Sequence, residues 1–390
     1  MISVETADNA LKSFYLDAVT EALDLKANPL LAQIAKSSID VVGKDVKKLV
    51  KYGLNGGISA GSETGALPNA CNGDRVVFTS TLKNLYGTIE ISDKALRVAT
   101  SNEGAFVNLL NDEMQSLVKS ATANFGRMLY GDGTGLLGVV QEIGENNEIV
   151  LSNARGVIEG MIVDFTDASG NIIAAVEGRK VIYVDRLNNT IAVDGTAVEG
   201  KISKGANMYL RGSRDYEITG LAAIFDMDKQ LYGVDRSTSS VMKPYIARNM
   251  ECISEKDIQI AIDTIEENSG SKINLIVCSA GVKRALVQYF RDYSIFMPTI
   301  ECAGGYKAIS FNGIPVVADR FCPAGTMYLL NTDDFKIHQL CDWKWLEGED
   351  GKILKQVPGK PVYTATLVKY AELMCERPNG QGMITDIIEE

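Results

Sequence analysis

The chain has 390 residues, of which 46% are hydrophobic and 23% charged, which allows two or three domains with apolar cores. Its formal net charge of −11 argues against a protein that binds the phosphates of nucleic acid, because such proteins present a dense basic face. No stretch approaches the roughly 18 consecutive apolar residues of a membrane-spanning helix, and the N-terminus lacks the pattern of a signal peptide, so we expect a product used in a cytosol.

Histidine and cysteine usage narrows the possible chemistry. His338 is the single histidine, which excludes a multi-histidine metal site, and its alternating, strand-like surroundings favour a structural role over a catalytic one. The seven cysteines form no C-x-x-C pair, and their odd number at irregular spacing predicts reduced thiols that pack in cores. The adjacent acids Asp333/Asp334 and Glu389/Glu390 are typical of solvated charge pairs rather than of metal ligands.

The first predicted element is a helix from Thr6 to Leu25. Apolar residues recur there at three- and four-residue spacing and form one stripe: Leu11, Phe14, Tyr15, Ala18, Val19, Ala22 and Leu23. Between Asp40 and Arg75, many glycines and few large apolar residues predict an extended loop or arm. A short basic cluster in this arm predicts a solvated face: Lys44, Lys47, Lys48 and Lys51. Returning strands are expected at 76–79 and 85–91.

A capping-box sequence, Thr100-Ser101-Asn102-Glu103, opens the longest predicted helix. One apolar face continues from Phe106 to Leu129, and Gly131 and Gly133 end the helix, giving a rod on the order of 40 Å long. The glycines of segment 131–135 follow a helix and lack the Gly-Lys-Ser/Thr of a phosphate loop. They therefore favour a helix stop over a nucleotide site.

From Asn147 to Leu210 the apolar period changes to two, which indicates short strands. The predicted strands cover 148–151, 161–165, 171–176, 181–184 and 190–193. Turn residues such as Asp194-Gly195 separate them. We predict a compact antiparallel barrel or sandwich of roughly 60 to 70 residues.

Helix and strand patterns alternate again after Asn249. Ser254 to Asp257 form a capping box that opens a helix, Gly270 closes it, and Asn312-Gly313 predicts a hairpin turn. The other predicted elements are a strand at 273–278, a helix at 281–289, and strands at 327–330, 335–340 and 363–376.

This order of parts resembles the major capsid proteins of tailed bacteriophages, the Hong Kong 97 family. The phrases that carry the resemblance are FNGIPVVAD at 311–319, PAGTMYLLN at 323–331 and ATLVKYAELMCERP at 365–378. GLAAIF at 220–225 is similar to a linker that often follows the family's long helix. The resemblance covers nearly the whole chain and rests on order and length, since none of its motifs is catalytic or strict.

The resemblance implies an α+β chain with a Hong Kong 97-type capsid fold. The implied parts are an N-terminal arm at 1–39, an extended loop at 40–86, a peripheral domain at 87–143 with 356–390 that includes a spine helix at 103–130, a linker at 214–249 and an axial domain at 250–355. Residues 144–213 depart from the family plan, and we expect them to form an inserted small all-β domain.

The same resemblance implies a function: a major capsid protein, and hence a late protein, that self-assembles into the icosahedral shell of the virion in the host bacterial cytoplasm. The expected partners are other copies, in hexamers and pentamers, together with a scaffolding protein, a portal and, as an option, a decoration protein. Double-stranded DNA would be enclosed without specific binding. We expect no enzyme activity, no membrane contact, and no catalytic, cofactor-binding or metal residues.

Two alternatives stay open at the level of sequence. The first is an encapsulin-like nanocompartment shell, which would enclose a protein cargo instead of DNA. The second is an enzyme of unrecognised type with the β-rich segment as a carbohydrate-binding part, which the missing constellations of catalytic residues disfavour. The contents of a purified particle distinguish the first alternative from a phage shell.

Overall fold

The computed structural model describes residues 28–53, 55–65, 67, 69, 71–94, 103–237, 239–293, 299–302, 306–348 and 351–389. The helix predicted from Thr6 to Leu25 and residues 100–102 of the predicted capping box lie outside them. The described chain folds as an α+β protein with four α-helices, three open sheets and one closed barrel.

A β-hairpin forms much of the segment that the sequence predicted as an extended loop. The strands in this part of the chain are β1 (Ala35–Ser37), β2 (Val41–Val42), β3 (Asp45–Lys51), β4 (Arg75–Thr81) and β5 (Lys83–Ser92). Strands β3 and β4 pair antiparallel from Asp45↔Thr81 to Lys51↔Arg75, and β2 adds a third strand. Both returning strands are confirmed, because β4 and β5 contain the predicted residues.

Helix α1 (Glu103–Met128) is the predicted long helix, and its 26 residues span about 39 Å at 1.5 Å per residue. Its described apolar face is buried in the core, with Met114, Val118 and Phe125 at most 6% exposed. The predicted helix stop is also confirmed, because the chain turns directly after α1 with Gly133 at φ +88°.

A closed six-stranded barrel follows α1. Its strands are β6 (Leu136–Ile143), β7 (Glu148–Leu151), β8 (Ile162–Thr166), β9 (Arg179–Asp185), β10 (Thr190–Val193) and β11 (Asn207–Leu210). They close in the order β10-β7-β6-β11-β8-β9 around a separate apolar core. The barrel begins at Leu136 rather than at 144, since β6 pairs with both β7 and β11. The strand predicted at 171–176 is wrong: Ala174–Val176 form a 3-10 turn that buries Val176.

The next part of the chain alternates helices and strands. Its elements are α2 (Leu221–Phe225), β12 (Tyr245–Ala247), α3 (Glu255–Ser269), β13 (Leu275–Cys278), α4 (Ala280–Asp292), β14 (Thr299–Cys302), β15 (Tyr306–Phe311), β16 (Ile314–Ala318) and β17 (Met327–Leu330). The predicted capping box on Ser254 and the left-handed cap at Gly270 are both present on α3. The predicted hairpin turn joins β15 to β16, with positive φ at Asn312 and Gly313.

The last four strands connect the two large sheets. They are β18 (Phe335–Trp345), β19 (Lys355–Gln356), β20 (Val362–Cys375) and β21 (Gly382–Ile384). One sheet has the order β1-β18-β20-β19, with β5 also paired to β20. The other sheet has seven strands in the order β12-β21-β17-β13-β16-β15-β14.

This pairing differs from the sequence-based division at three points. Strand β18 was assigned to the axial domain at 250–355, but it pairs with β20, as does β19, which lies across the predicted boundary. Strand β21 was assigned to the peripheral part, but it pairs with β12 and β17 in the seven-stranded sheet. The hairpin ends at Thr81 rather than at 86, because β5 pairs with the first ten residues of β20.

Two large cores hold these parts together. One contains the inner face of the hairpin, the buried face of α1, the five-stranded sheet and one face of the seven-stranded sheet. The other lies between the opposite face of the seven-stranded sheet and helices α3 and α4. No helix in the described part of the chain combines the length and apolarity that a membrane crossing requires.

Candidate functional site

The outer face of the hairpin is an exposed surface with an apolar centre. Leu49 and Val77 are direct cross-strand partners, and each is 51% exposed. Lys47 lies on the same face towards one end, and Lys51 with its cross-strand partner Arg75 lies towards the other. An exposed apolar pair between cations is suited to contact with another protein surface. We call these five residues the hairpin face.

The opposite side of the hairpin is anchored to the rest of the molecule. Phe78 is fully buried, and its ring centroid lies 5.6 Å from that of Tyr232. The Thr79 backbone N–H donates to the Tyr232 carbonyl oxygen at 2.9 Å. The hairpin therefore has one side fixed in the core and one side available to a partner.

An ionic cluster fixes the base of the hairpin to the five-stranded sheet. The Lys48 ammonium lies 2.8 Å from Asp40 and 3.4 Å from Glu376, and Lys336 lies 2.8 Å from the same Glu376 carboxylate. The side-chain hydrogen bond from Lys48 lowers the pKa of Asp40. The prediction of a solvated basic face therefore fits Lys44, Lys47 and Lys51, which are exposed, and is wrong for Lys48.

His338 is fully buried beside this cluster, on strand β18. Burial lowers its pKa below the usual value, although the nearby Asp40 carboxylate opposes that effect. Neither ring nitrogen has a hydrogen-bond partner among the described residues. This burial agrees with the structural role that the sequence favoured.

The acidic pairs singled out in the sequence include structural carboxylates. Asp334 accepts hydrogen bonds from Ser271 and Gln381, both at 3.1 Å. Glu389 accepts from the Gly325 backbone at 2.9 Å and is paired with Arg155 at 2.7 Å. The prediction of solvated charge pairs is therefore wrong for these two residues, while Glu390 lies outside the described residues. Among the residues that the structure describes, no group of three or more His, Cys, Asp and Glu side chains is arranged to hold a metal ion.

Two buried charges on β20 were not singled out from the sequence. Lys369 is 2% exposed, lies 2.6 Å from Asp342 and places its ammonium 5.4 Å from the Phe125 ring centroid. Burial alone would raise the pKa of Asp342, but Lys369 and Lys36 outweigh it and lower that pKa to about 2. Glu372 is fully buried and accepts from the Thr219 backbone N–H at 2.6 Å, which ties the segment after the barrel to the sheet.

Glu372 should make stability depend on pH. Burial raises its pKa from 4.5 to about 7, so the folded protein binds a proton that the unfolded chain releases at lower pH. The stabilising effect is fully present below the unfolded pKa and is lost as the pH rises through 7. The free energy of unfolding of the wild type should fall by on the order of 3 kcal/mol from pH 4.5 to pH 8 because of this group. We expect this decrease to be absent in Glu372→Gln.

The measurement is urea unfolding of the unassembled subunit at both pH values. Glu142→Gln, at an exposed position on β6, is the matched control and should keep the wild-type pH dependence. An unchanged pH dependence in Glu372→Gln would show that the carboxyl group is not the source.

Comparison with solved structures identifies the fold. The chain is similar to a protein of the cyanophage A-1(L) capsid asymmetric unit, with 13% identity, a TM-score of 0.56 and 93% of each chain covered. It is also similar to the Synechococcus elongatus encapsulin, with 9% identity, a TM-score of 0.47, and 92% of this chain and 86% of that chain covered. A protein of Mycobacterium phage Bobi is similar with 10% identity and a TM-score of 0.46, and 94% of this chain and 92% of that chain are covered.

No protein-family model matches the sequence, and no curated protein matches it significantly. The likeness therefore lies in the three-dimensional structure, across almost the full length of both chains. The chain has the Hong Kong 97-type fold of phage capsid proteins.

Proposed function

We propose that this protein is the major capsid protein of a tailed phage and that it self-assembles into the icosahedral shell around double-stranded DNA. The observation that carries this proposal is the fold, which matches the cyanophage A-1(L) capsid chain over 93% of both chains. In this role the protein forms hexamers and pentamers and belongs to the virion. Its work is structural rather than enzymatic.

The hairpin face supports a role in assembly. A shell subunit needs extended contacts that recur around the particle, and a hairpin anchored on one side leaves its other side for a neighbouring copy. Each contact can be weak, because many contacts form together in a closed shell. The net charge of −11 suits a shell that encloses DNA without gripping it.

The proposal includes partners and a place of assembly. A scaffolding protein, a portal and, as an option, a decoration protein would act with the shell, and assembly would occur in the cytoplasm of a host bacterium. These follow from the proposed role in a tailed phage, in which a shell must be sized, filled and closed.

We propose that the barrel is an inserted domain on the outer side of the shell that stabilises the subunit or bridges neighbours. Its separate core supports independent folding. The Asp215 backbone N–H donates to the Thr134 carbonyl oxygen at 2.9 Å, so the entry and exit of the barrel lie side by side. Adjacent entry and exit points are where a domain can be inserted without disturbing its host. Outward placement would leave the interior free for DNA.

The hairpin face gives a direct test of assembly. Leu49→Asp with Val77→Asp should leave the subunit folded but reduce shell formation at least ~10-fold, because burying carboxylates in an apolar contact is unfavourable. The matched control is Ile260→Asp with Leu340→Asp, which alters two exposed apolar residues outside both the hairpin and the barrel. Circular dichroism checks folding, and sedimentation counts shells. Normal assembly of the hairpin variant would contradict the role of this face.

The particle contents distinguish the alternative shell. Phage-derived particles should contain double-stranded DNA, whereas an encapsulin-like compartment would contain a protein cargo and no genome. Mass spectrometry and nuclease-protected DNA measurements on the same particles separate these outcomes.

A further inference from the structure

A large cleft lies between the C-terminal half of helix α1 and the barrel. Its volume is about 1090 Å³, which is larger than the side-chain gaps of a packed core. The walls come from α1, from the barrel segment around Ile158–Met161, and from the loop that carries Arg320 and Phe321. A cleft of this volume between two structural units is large enough to bind a segment of polypeptide.

The cleft combines an apolar wall with exposed cations. Phe125, Met128, Phe321 and Trp343 line it and are each at most 6% exposed.

Three exposed cationic residues also line the cleft: Lys119, Lys180 and Arg320. A fourth cation of the lining, Arg211, is paired with Glu177 at 3.0 Å. Two acidic residues also line the cleft: Glu159 is exposed, and Glu217 is paired with Arg127, so the cations outnumber the free carboxylates. The cleft therefore fits an occupant with one apolar face and one acidic face.

The described chain begins beside Phe321, one of the residues that line the cleft. Asn28 is 1% exposed, and its Oδ1 accepts hydrogen bonds from the backbones of Leu30 and Leu31 at 3.0 and 3.1 Å. The Nδ2 of Asn28 and the ring of Phe321 both abut Gly126 of α1, within 3 Å of where a Cβ would lie. That Nδ2 is buried without a hydrogen-bond partner among the described residues.

The segment that precedes Asn28 has the complementary composition. Residues 1–27 contain five acidic residues, which are Glu5, Asp8, Asp17, Glu21 and Asp24, against two lysines. The sequence predicts a helix with an apolar stripe here, and Asp17, Glu21 and Asp24 share its opposite face at i, i+4 and i+7 spacing.

We propose that residues 1–27 of the same chain occupy this cleft. The apolar stripe that includes Phe14 and Tyr15 would pack on the wall of Phe125, Met128 and Trp343. The acidic face would lie towards Lys119, Lys180 and Arg320, where opposite charges favour one orientation of the segment. The N-terminal segment would then join α1 to the barrel and limit motion between them.

Hydrogen exchange of the full-length, unassembled subunit tests this occupancy. Phe14→Asp with Tyr15→Asp should speed exchange about tenfold in peptides covering 113–128 and 158–161, because the apolar contact is lost. The matched control, Thr20→Asp, adds one carboxylate on the polar side of the predicted helix and should leave these peptides unchanged. A second readout is Trp343 fluorescence in a Trp345→Phe background, in which acrylamide quenching should increase only in the Phe14/Tyr15 variant.

A charge exchange tests the orientation. Lys119→Glu with Lys180→Glu should also speed exchange, and adding Asp17→Lys with Glu21→Lys should restore the slow rate. Unchanged exchange and quenching in the Phe14/Tyr15 variant would overturn the proposal. It would equally be overturned if the cleft gained protection only on shell assembly and independently of residues 14 and 15, since a neighbouring copy would then be the occupant.

Discussion

Gly220→Ala is expected to lower the free energy of unfolding by at least ~3 kcal/mol, the upper end for an overpacked site. A Cβ at this position would lie 2.4 Å from the Met128 carbonyl oxygen and 2.6 Å from those of Leu129 and Gly131. Met128 is the last residue of α1 and Leu129 and Gly131 follow it; the Leu221 backbone N–H donates to the Leu129 carbonyl oxygen at 2.8 Å. Since the obstructing atoms are all backbone, relief requires the helix end to move away from the chain that leaves the barrel.

Urea unfolding of the subunit measures this effect. Gly61→Ala is the matched control, because its added Cβ meets no atom within 4 Å, and it should stay within about 0.5 kcal/mol of wild type. A Gly220→Ala subunit as stable as the control would show that the contact between α1 and residue 220 is not close in solution.

The second large effect is expected at the ion pair of Arg127 and Glu217. Both side chains are at most 8% exposed, and the pair joins α1 to the residue just beyond the barrel. Glu217→Gln would remove the counter-charge and leave the Arg127 guanidinium buried with only neutral amide acceptors, such as that of Asn124. Removing one partner of a buried pair destabilises by about 3 kcal/mol or more, and we expect that loss in the free energy of unfolding.

The barrel offers a matched exposed pair as the control. Arg211 and Glu177 lie 3.0 Å apart with about half of each side chain exposed. Glu177→Gln should cost less than ~1 kcal/mol, since solvent screens exposed charges. Equal losses in the two variants would contradict the assignment of Arg127 and Glu217 as a buried link.

The sequence predicted the type of an element well where a regular apolar pattern continued over many residues. The 26-residue helix α1 has a continuous apolar face, and most barrel strands alternate clearly, so both were predicted. Apart from the hairpin of β15 and β16, which its turn residues predicted, strand partners were not predictable, because periodicity identifies a strand without indicating its neighbours. Strand β20 illustrates this, since its 14 residues pair with β5 on one edge and with β18 and β19 on the other.

The candidate site was only partly predictable for a related reason. The alternation in β3 and β4 places Leu49 and Val77 on one face, but it does not show which face the core covers. The buried position of Glu372 also had no sequence signal, because a carboxylate in a strand is more often exposed. Its hydrogen-bond donor is the backbone of Thr219, which lies more than 150 residues earlier in the chain.

The central claim is that this chain builds a capsid shell, and cryo-electron microscopy of the purified full-length protein tests it most directly. We predict closed icosahedral particles made of hexamers and pentamers, in which the hairpin face of each subunit contacts a neighbouring copy. Discrete monomers or small oligomers at every protein concentration, both with and without the scaffolding protein, would contradict the claim, and so would particles in which Leu49 and Val77 face solvent.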